Sequence, residues 1–208
     1  MMILGIDEAG RGPVLGPLVV CGAVIPQDKI VILERMGIKD SKKLTPSRRN
    51  VLARKIRKMA DCHVIKITAQ DIDNLRAKDV NLNEIEKIAM IKIIKMATAD
   101  SVIIDSVDID PARLTRQIKE IVGEDIDVIA EHRADDKYIP VAAASIVAKV
   151  ERDMEIEKLS REYKKMGPMG SGYPSDPRTK AFLKKFKYDE LPDFVRKSWA
   201  TAKKLKEK

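Results

Sequence analysis

Acidic side chains follow three short apolar segments of this sequence, at positions where strands of a sheet are expected to end. Carboxylates gathered in one place repel one another unless a cation neutralises them, and their oxygens suit Mg²⁺ or Mn²⁺. Two such ions about 3.5–4 Å apart can stabilise the attacking and leaving oxygens of a phosphodiester displacement. The pattern therefore indicates metal-dependent chemistry on phosphate. The acids concerned are Asp7, Glu8, Asp105, Asp135 and Asp136.

Each of these acids, taken alone, is also compatible with a solvated loop or a helix cap. Two further acids, Asp108 and Asp110, are interpreted in this way, as turn and cap residues before Pro111. Their recurrence favours a shared site, because parallel strands bring their carboxyl ends to one edge of a sheet. Asp7 and Glu8 add a constraint, since adjacent residues of a strand point to opposite faces. Both can serve one site only if the strand twists or ends between them.

A glycine-flanked arginine, Gly10-Arg11-Gly12, comes directly after the first apolar segment and its acids. Glycine has no Cβ, so the backbone can approach a ligand closely at these positions. Arginine offers a fork of donors that matches phosphate oxygens. The alternative is a surface turn that the glycines only shape. The segment thus agrees with a phosphate-binding function without establishing it.

Apolar runs and turn residues predict five strands joined by helices. The strands are predicted at 3–6, 15–25, 62–67, 101–104 and 127–130. Helices are predicted from Pro46, behind a Thr45 cap, and over about 111–122, 140–163, 177–186 and 193–206. The pattern is also helical over 69–99, where Asn81 or Asn83 would cap the main piece. Strands that alternate with helices predict an α/β fold, with a mixed sheet and helices on its faces.

The composition indicates a partner of opposite charge. The formal net charge is +8, from 40 Lys and Arg against 32 Asp and Glu, which favours nucleic acid, although such a charge could also only keep the protein soluble. Cys21 and Cys62 form no C-x-x-C motif, so a structural zinc site is not expected. The sequence has no signal peptide and no apolar run of about 20 residues, which predicts a cytoplasmic protein without a membrane partner.

Five segments together resemble ribonuclease HII in the form typical of archaea. They are GIDEAGRGPVLGP from residue 5, DSKKLTP at 40–46, Asp105 after SVII, ADDKYIPVAAASIVAKVERD at 134–153, and GSGYPSDPRT at 170–179. The resemblance covers nearly the whole chain. It implies an RNase H-like, five-stranded mixed sheet flanked by helices, with a catalytic domain over 1–174 and a small helical C-terminal extension over 175–208.

The resemblance also implies an activity. The protein would hydrolyse the RNA strand of RNA/DNA hybrids and cut on the 5′ side of single ribonucleotides in duplex DNA. Two-metal-ion catalysis with Mn²⁺ or Mg²⁺ would leave 5′-phosphate and 3′-hydroxyl ends. A monomer is expected, and an interaction with a sliding clamp stays open. The implied acidic metal-binding set is Asp7, Glu8, Asp105 and Asp135, the last being chosen over Asp136 by its spacing to AAASI.

Residues that would contact the substrate follow from the same resemblance. The Gly10–Gly12 segment would read the 2′-hydroxyl next to the cut, a group that distinguishes RNA from DNA. Tyr173 would pack on the sugar of the following deoxynucleotide, and Ser41 and Lys42 would contact backbone phosphates. The alternatives are a loop aromatic that closes a turn at Tyr173 and a solvated charged loop at Ser41 and Lys42. His132 is expected to be a hydrogen-bonded histidine rather than a proton shuttle.

Two other functions compete with this interpretation. A nucleic-acid-binding protein of the same fold without catalysis would use the same basic charge, but it would gain nothing from carboxylates beside phosphates. A DNA junction or transposition nuclease would cut substrates made only of DNA. The Gly10–Gly12 segment favours ribose recognition over the second alternative.

Overall fold

The computed structural model describes residues 1–39 and 44–206, which form two compact units. The first, called here the sheet unit, comprises Met1–Ala9, Val19–Ile65 and Asn83–Val150. The second, called the C-terminal unit, comprises Gly10–Leu18, Lys66–Leu82 and the described residues from Glu151 onward. Each unit therefore draws on several separate stretches of the chain. The boundary at residue 174 stays a prediction.

Five strands form the mixed sheet that the sequence predicts. They are β1 (Met2–Ala9), β2 (Leu18–Pro26), β3 (Asp61–Ile67), β4 (Ser101–Asp105) and β5 (Asp127–Glu131). Their order is β3-β2-β1-β4-β5, and β1 runs antiparallel to β2 but parallel to β4, which is parallel to β5. The register places Ile6 beside Ile104, and Asp105 beside Glu131. The carboxyl ends of β1, β4 and β5 consequently share one edge of the sheet.

Helices flank this α/β sheet, some of them with a side-chain cap on the first amide groups and others without one. They are α1 (Ile30–Arg35), α2 (Pro46–Ile56), α3 (Ala69–Arg76), α4 (Leu82–Met96), α5 (Pro111–Val122), α6 (Ala134–Lys137), α7 (Ile139–Glu162), α8 (Pro177–Leu183) and α9 (Ala200–Lys203). The Thr45 side chain accepts from the Arg48 amide at 3.3 Å, which confirms the predicted cap of α2. Asp110 caps α5 in the same way, and Gly123 ends that helix with φ of +100°.

The core of the sheet unit forms where the small residues of α7 contact the strands. Ala142, Ala143 and Ile146 are buried in one cluster with side chains of β2 such as Val19 and Ile25. Gly5 of β1 permits this close packing, because a Cβ at that position would lie 2.1 Å from the carbonyl carbon of Pro140. The first turns of α7 are thereby fixed against the strand that carries Asp7.

The C-terminal unit has an apolar core of its own that includes several aromatic rings. Phe182, Leu183 and Val195 are buried there. Tyr163 lies edge-on to Phe194 with ring centroids 4.8 Å apart, a favourable geometry for two aromatic rings. Separate cores explain why the two units are each compact.

Two predicted elements are wrong in their bounds. The second strand begins at Leu18 rather than residue 15. The helix predicted over 177–186 ends at Leu183. The helical pattern over 69–99 forms α3 and α4, with Asp79 between them at φ of +62°, and α4 begins at Leu82, beside the predicted caps Asn81 and Asn83. A residue in the left-handed region cannot continue an α-helix.

The helix predicted over 193–206 is the largest error, since only Ala200–Lys203 is α-helical there. The backbone amides of residues 196–198 donate to residues far away in the sequence. The Arg196 amide donates to Val14 O at 2.9 Å, and the Lys197 and Ser198 amides donate to the Asp73 carboxylate at 2.6 and 3.0 Å. Amides engaged in this way cannot form the i→i−4 bonds of a helix.

Two further observations bear on the composition. Within residues 1–39 and 44–206, no helix is both long and apolar enough to cross a membrane. Cys21 is buried, Cys62 is half-buried, and both are free cysteines.

Candidate active site

Three carboxylates from the predicted acidic set meet at the carboxyl edge of the sheet. Asp7, Asp105 and Asp135 each present an oxygen, and these oxygens lie within 4.8 Å of one another. Asp7 lies near the end of β1, Asp105 is the last residue of β4, and Asp135 lies in α6, just after β5. Asp7 and Asp135 are only 4% and 3% exposed. Buried carboxylates this close together form a site of strongly negative potential.

The turn between β5 and α6 selects Asp135 over its neighbour. Arg133 adopts a left-handed conformation at φ of +57°, and Asp105 Oδ1 accepts a hydrogen bond from the Ala134 amide at 2.9 Å. The first turn of α6 is thus tied to Asp105. Asp136 instead forms an ion pair with Arg133 at 2.8 Å. The preference for Asp135 that the sequence suggested agrees with this geometry.

Glu8 occupies a different position from Asp7. The strand does not end between them, because β1 continues to Ala9, so the two side chains point to opposite faces. Glu8 is half-buried and does not belong to the group of Asp7, Asp105 and Asp135. Its backbone amide donates to Asp7 Oδ1 at 2.7 Å. A role for Glu8 as a metal ligand stays a prediction.

Burial is the main reason why the pKa of Asp7 is raised well above its ordinary value, and the neighbouring charges of Glu8 and Asp105 raise it further. A hydrogen bond from Ser145 acts in the opposite direction. Lys149 Nζ in turn donates to Ser145 Oγ at 2.7 Å. Repelling carboxylates of this kind fit a bound divalent cation, which would neutralise them and which prefers oxygen ligands.

The Gly10–Gly12 segment and Tyr173 lie together in the C-terminal unit. A Cβ built on Gly12 would be 3.4 Å from Tyr173 Cε1. The neighbouring carbonyl of Gly172 accepts from the Val14 amide at 2.8 Å. Tyr173 is 45% exposed, so a face of its ring is open to a ligand. The structure thus places the predicted ribose-reading segment beside the predicted sugar-packing aromatic.

Other predicted residues have simpler outcomes. Ser41 and Lys42 fall outside the described residues. The ring of His132 is hydrogen-bonded to Ile109 O at 3.3 Å, as expected for a structural histidine at a strand end. Asp108 forms an ion pair with Arg113 at 2.6 Å, which lowers the pKa of Asp108.

Sequence reasoning missed four residues that support the predicted ones. Ser145 is a lone hydroxyl in the apolar run VAAASIVA, and that isolation was the available signal. Lys149 and Arg152 lie further along the same segment, 134–153, and the Arg152 guanidinium lies 5.8 Å from the centre of the Tyr173 ring. Burial lowers the pKa of Arg152. Arg196 is fully buried, and nothing in its lysine-rich surroundings distinguishes it in the sequence.

Comparisons with known proteins agree on one family. A sequence model of ribonuclease HII matches residues 4–202. Ribonuclease HII of Methanothermobacter thermautotrophicus is 62% identical over all of both chains. The crystal structure of ribonuclease H2 from Pyrococcus horikoshii matches with a TM-score of 0.91 at 43% identity. The match covers 100% of this chain and 98% of the Pyrococcus horikoshii chain. The structure of RNase HII in complex with PCNA from Archaeoglobus fulgidus has a TM-score of 0.86 at 45% identity, over 96% and 95% of the two chains.

Proposed function

The chain belongs to the ribonuclease HII family of endonucleases, and from this premise we propose its substrates and its reaction. It hydrolyses the RNA strand of RNA/DNA hybrids and cuts duplex DNA on the 5′ side of single embedded ribonucleotides. Water attacks the phosphorus, the bond to the upstream 3′-oxygen breaks, and the products carry 3′-hydroxyl and 5′-phosphate ends. The observation that carries the proposal is the meeting of Asp7, Asp105 and Asp135 within 4.8 Å.

These three carboxylates would hold the divalent cations, and Glu8 is the proposed fourth ligand. Bound Mn²⁺ or Mg²⁺ supplies an activated water and stabilises the departing oxygen. The protein contributes the positions of the oxygens. Asp105 is held by the Ala134 amide, and Asp7 is held by the Glu8 amide and by Ser145. Fixed ligands of this kind reduce the reorganisation that catalysis would otherwise require.

Ribose recognition is assigned to the Gly10–Gly12 segment and Tyr173. Backbone groups at a glycine turn can approach a 2′-hydroxyl closely, and this group distinguishes RNA from DNA. Tyr173 offers a ring surface for the sugar of the next deoxynucleotide. The proximity of Gly12 to the Tyr173 ring supports the assignment, because both would have to reach adjacent nucleotides.

A duplex with one embedded ribonucleotide tests this function directly. With Mn²⁺ or Mg²⁺ we expect a single nick on the 5′ side of the ribonucleotide, and none in the all-DNA duplex of the same sequence. A chelator should abolish the nick. Binding without any nick would favour a protein that only binds nucleic acid, and cutting of the all-DNA duplex would favour a DNA nuclease.

Two adjacent acids provide a matched pair of variants. Asp135→Asn removes one member of the acidic group and should abolish cleavage while hybrid binding persists. Asp136→Asn makes the same chemical change one residue away, where the side chain pairs with Arg133, and should cut at close to the wild-type rate. Asp7→Asn should behave like Asp135→Asn. Full cleavage by Asp7→Asn or by Asp135→Asn would contradict the proposed metal site.

The proposed partners follow from this activity. They are RNA/DNA hybrids and ribonucleotide-containing duplexes, met in the cytoplasm by a monomeric enzyme. The Archaeoglobus fulgidus relative has been solved with PCNA, so a sliding clamp is the protein partner to test first, by gel filtration of a mixture of the two proteins.

A further inference from the structure

Arg196 is the largest fully buried side chain among the described residues, and its guanidinium faces the Gly10–Gly12 segment. Its Nη2 donates to Gly10 O at 2.6 Å, and its Nη1 donates to Arg11 O at 3.0 Å. A third bond runs from Nε to Gly16 O at 3.1 Å. A buried guanidinium is costly unless such acceptors surround it, so these carbonyls and the arginine are matched to one another.

Trp199 completes the set of carbonyl contacts. Its indole Nε1 donates to Gly12 O at 3.1 Å. The Arg196 guanidinium lies 4.8 Å from the centre of the Trp199 ring, within the range of a cation–π contact. The three consecutive carbonyls of residues 10–12 are therefore all bound by two side chains of one C-terminal segment.

That segment, residues 194–199, is itself fixed by long-range contacts. Asp73 accepts two of its amides, and Leu15 and Val195 form a β-bridge. The Gly16 amide donates to Phe194 O at 2.8 Å. The backbone of residues 194–199 is consequently held in place without the side chains of Arg196 and Trp199, which bind the carbonyls of residues 10–12.

We propose that Arg196 and Trp199 are positioning residues for ribose recognition, which they support by fixing the backbone of Gly10–Gly12. The inference rests on the proposed function of that segment. A turn with two glycines has many accessible conformations, and Gly10 is at φ of +89°. A loop that moved would lose its discrimination between ribose and deoxyribose, because that discrimination depends on hydrogen bonds to a single hydroxyl group.

The test compares two conservative variants of aromatic residues, measured in the Asp7→Asn background so that the duplex is not cut. Trp199→Phe keeps a ring but removes the donor to Gly12 O. Tyr188→Phe removes the hydrogen bond from the Tyr188 hydroxyl to Lys197 O, which is 3.3 Å long and belongs to the same segment without touching residues 10–12. The readout is the ratio of Kd for the all-DNA duplex to Kd for the duplex with one ribonucleotide.

We expect Trp199→Phe to lower this ratio about three- to tenfold, the factor that corresponds to one lost hydrogen bond. Binding to the all-DNA duplex should stay unchanged. Tyr188→Phe should keep the wild-type ratio. Arg196→Lys, which keeps the charge but replaces the fork with one nitrogen, should lower the ratio further, and thermal unfolding shows whether that variant is folded.

An unchanged ratio in Trp199→Phe would overturn the inference while leaving the proposed function intact. An equal fall in both phenylalanine variants would also overturn it, since a general loosening of the segment would then explain the result. If the protein without either substitution shows no preference for the ribonucleotide, the proposed function itself fails, and the inference fails with it.

Discussion

The Ser145 hydroxyl connects Lys149 to Asp7 and thereby orients a carboxylate of the acidic group. An ammonium can only donate, so Ser145 Oγ accepts from Lys149 Nζ at 2.7 Å and its own proton is directed to Asp7. Groups that hold a metal ligand in place typically change metal affinity by about 10–100-fold when they are removed. We therefore expect Ser145→Ala to weaken Mn²⁺ binding about tenfold, measured by titration calorimetry.

The control for this variant lies on the same helix. Ser160 is exposed near the end of α7, and Ser160→Ala should leave Mn²⁺ affinity unchanged. Equal affinities in the two variants would show that the Ser145 hydroxyl does not position Asp7.

Ionisation of Asp7 links metal binding to pH. Its pKa in the fold is raised above the ordinary value of 3.8, so between these two values the folded protein holds a proton that the unfolded chain has released. The metal-free protein should therefore lose stability as pH rises through this window. Divalent cations bind the ionised form, so the increase in Tm that Mn²⁺ produces should grow with pH over the same window.

Melting curves with and without Mn²⁺ at a series of pH values check this expectation. In Asp7→Asn the part of the pH dependence that arises from Asp7 should disappear. A Mn²⁺-induced shift that is the same at every pH would indicate that Asp7 does not titrate in the way its surroundings imply.

At the level of secondary-structure elements, Asp73 of α3 determines the path of residues 194–199. Its carboxylate accepts the Lys197 and Ser198 amides, so Asp73→Asn replaces an acceptor oxygen by a donor or leaves an amide without its partner. The expected loss in free energy of unfolding is about 1–3 kcal/mol. Hydrogen exchange should also become faster at these two amides.

Asp193→Asn is the matched control, because Asp193 is an exposed acid at the start of the same stretch of chain. It should leave both stability and exchange close to wild type. If Asp73→Asn were equally harmless, the non-helical path of residues 194–199 would need another explanation.

The same segment shows where prediction from sequence reaches its limit. Strands β1, β4 and β5, the cap at Thr45 and the meeting of Asp7, Asp105 and Asp135 were predictable, because local apolar runs and turn residues determine them. The lysine-rich tail has helical character locally, but Asp73, which overrides it, lies 124 residues from Lys197 in the sequence. Glu8 shows the same limit at a single residue, since the sequence alone left open where β1 ends.

At the scale of the whole molecule, the net charge of +8 bears on how the protein binds nucleic acid. Each phosphate contact releases condensed counterions, so log Kd rises with log salt concentration, with a slope of about 0.9 per contact on duplex DNA. The proposed preference for a ribonucleotide would depend on short-range hydrogen bonds, so salt should weaken binding to both duplexes equally. Fluorescence anisotropy of the Asp7→Asn variant over a salt series measures both quantities.

Three exposed lysines of the C-terminal unit offer a variant for this measurement. Lys180, Lys184 and Lys204 line one surface depression, and their replacement by Gln lowers the formal charge from +8 to +5. We expect weaker binding and a smaller salt slope, with an unchanged preference for the ribonucleotide, because on the proposed function the lysines would contact phosphates and Gly10–Gly12 would read the sugar. An unchanged salt slope would indicate that other cationic side chains contact the phosphates. A changed preference for the ribonucleotide would contradict the proposal that these lysines take no part in ribose recognition.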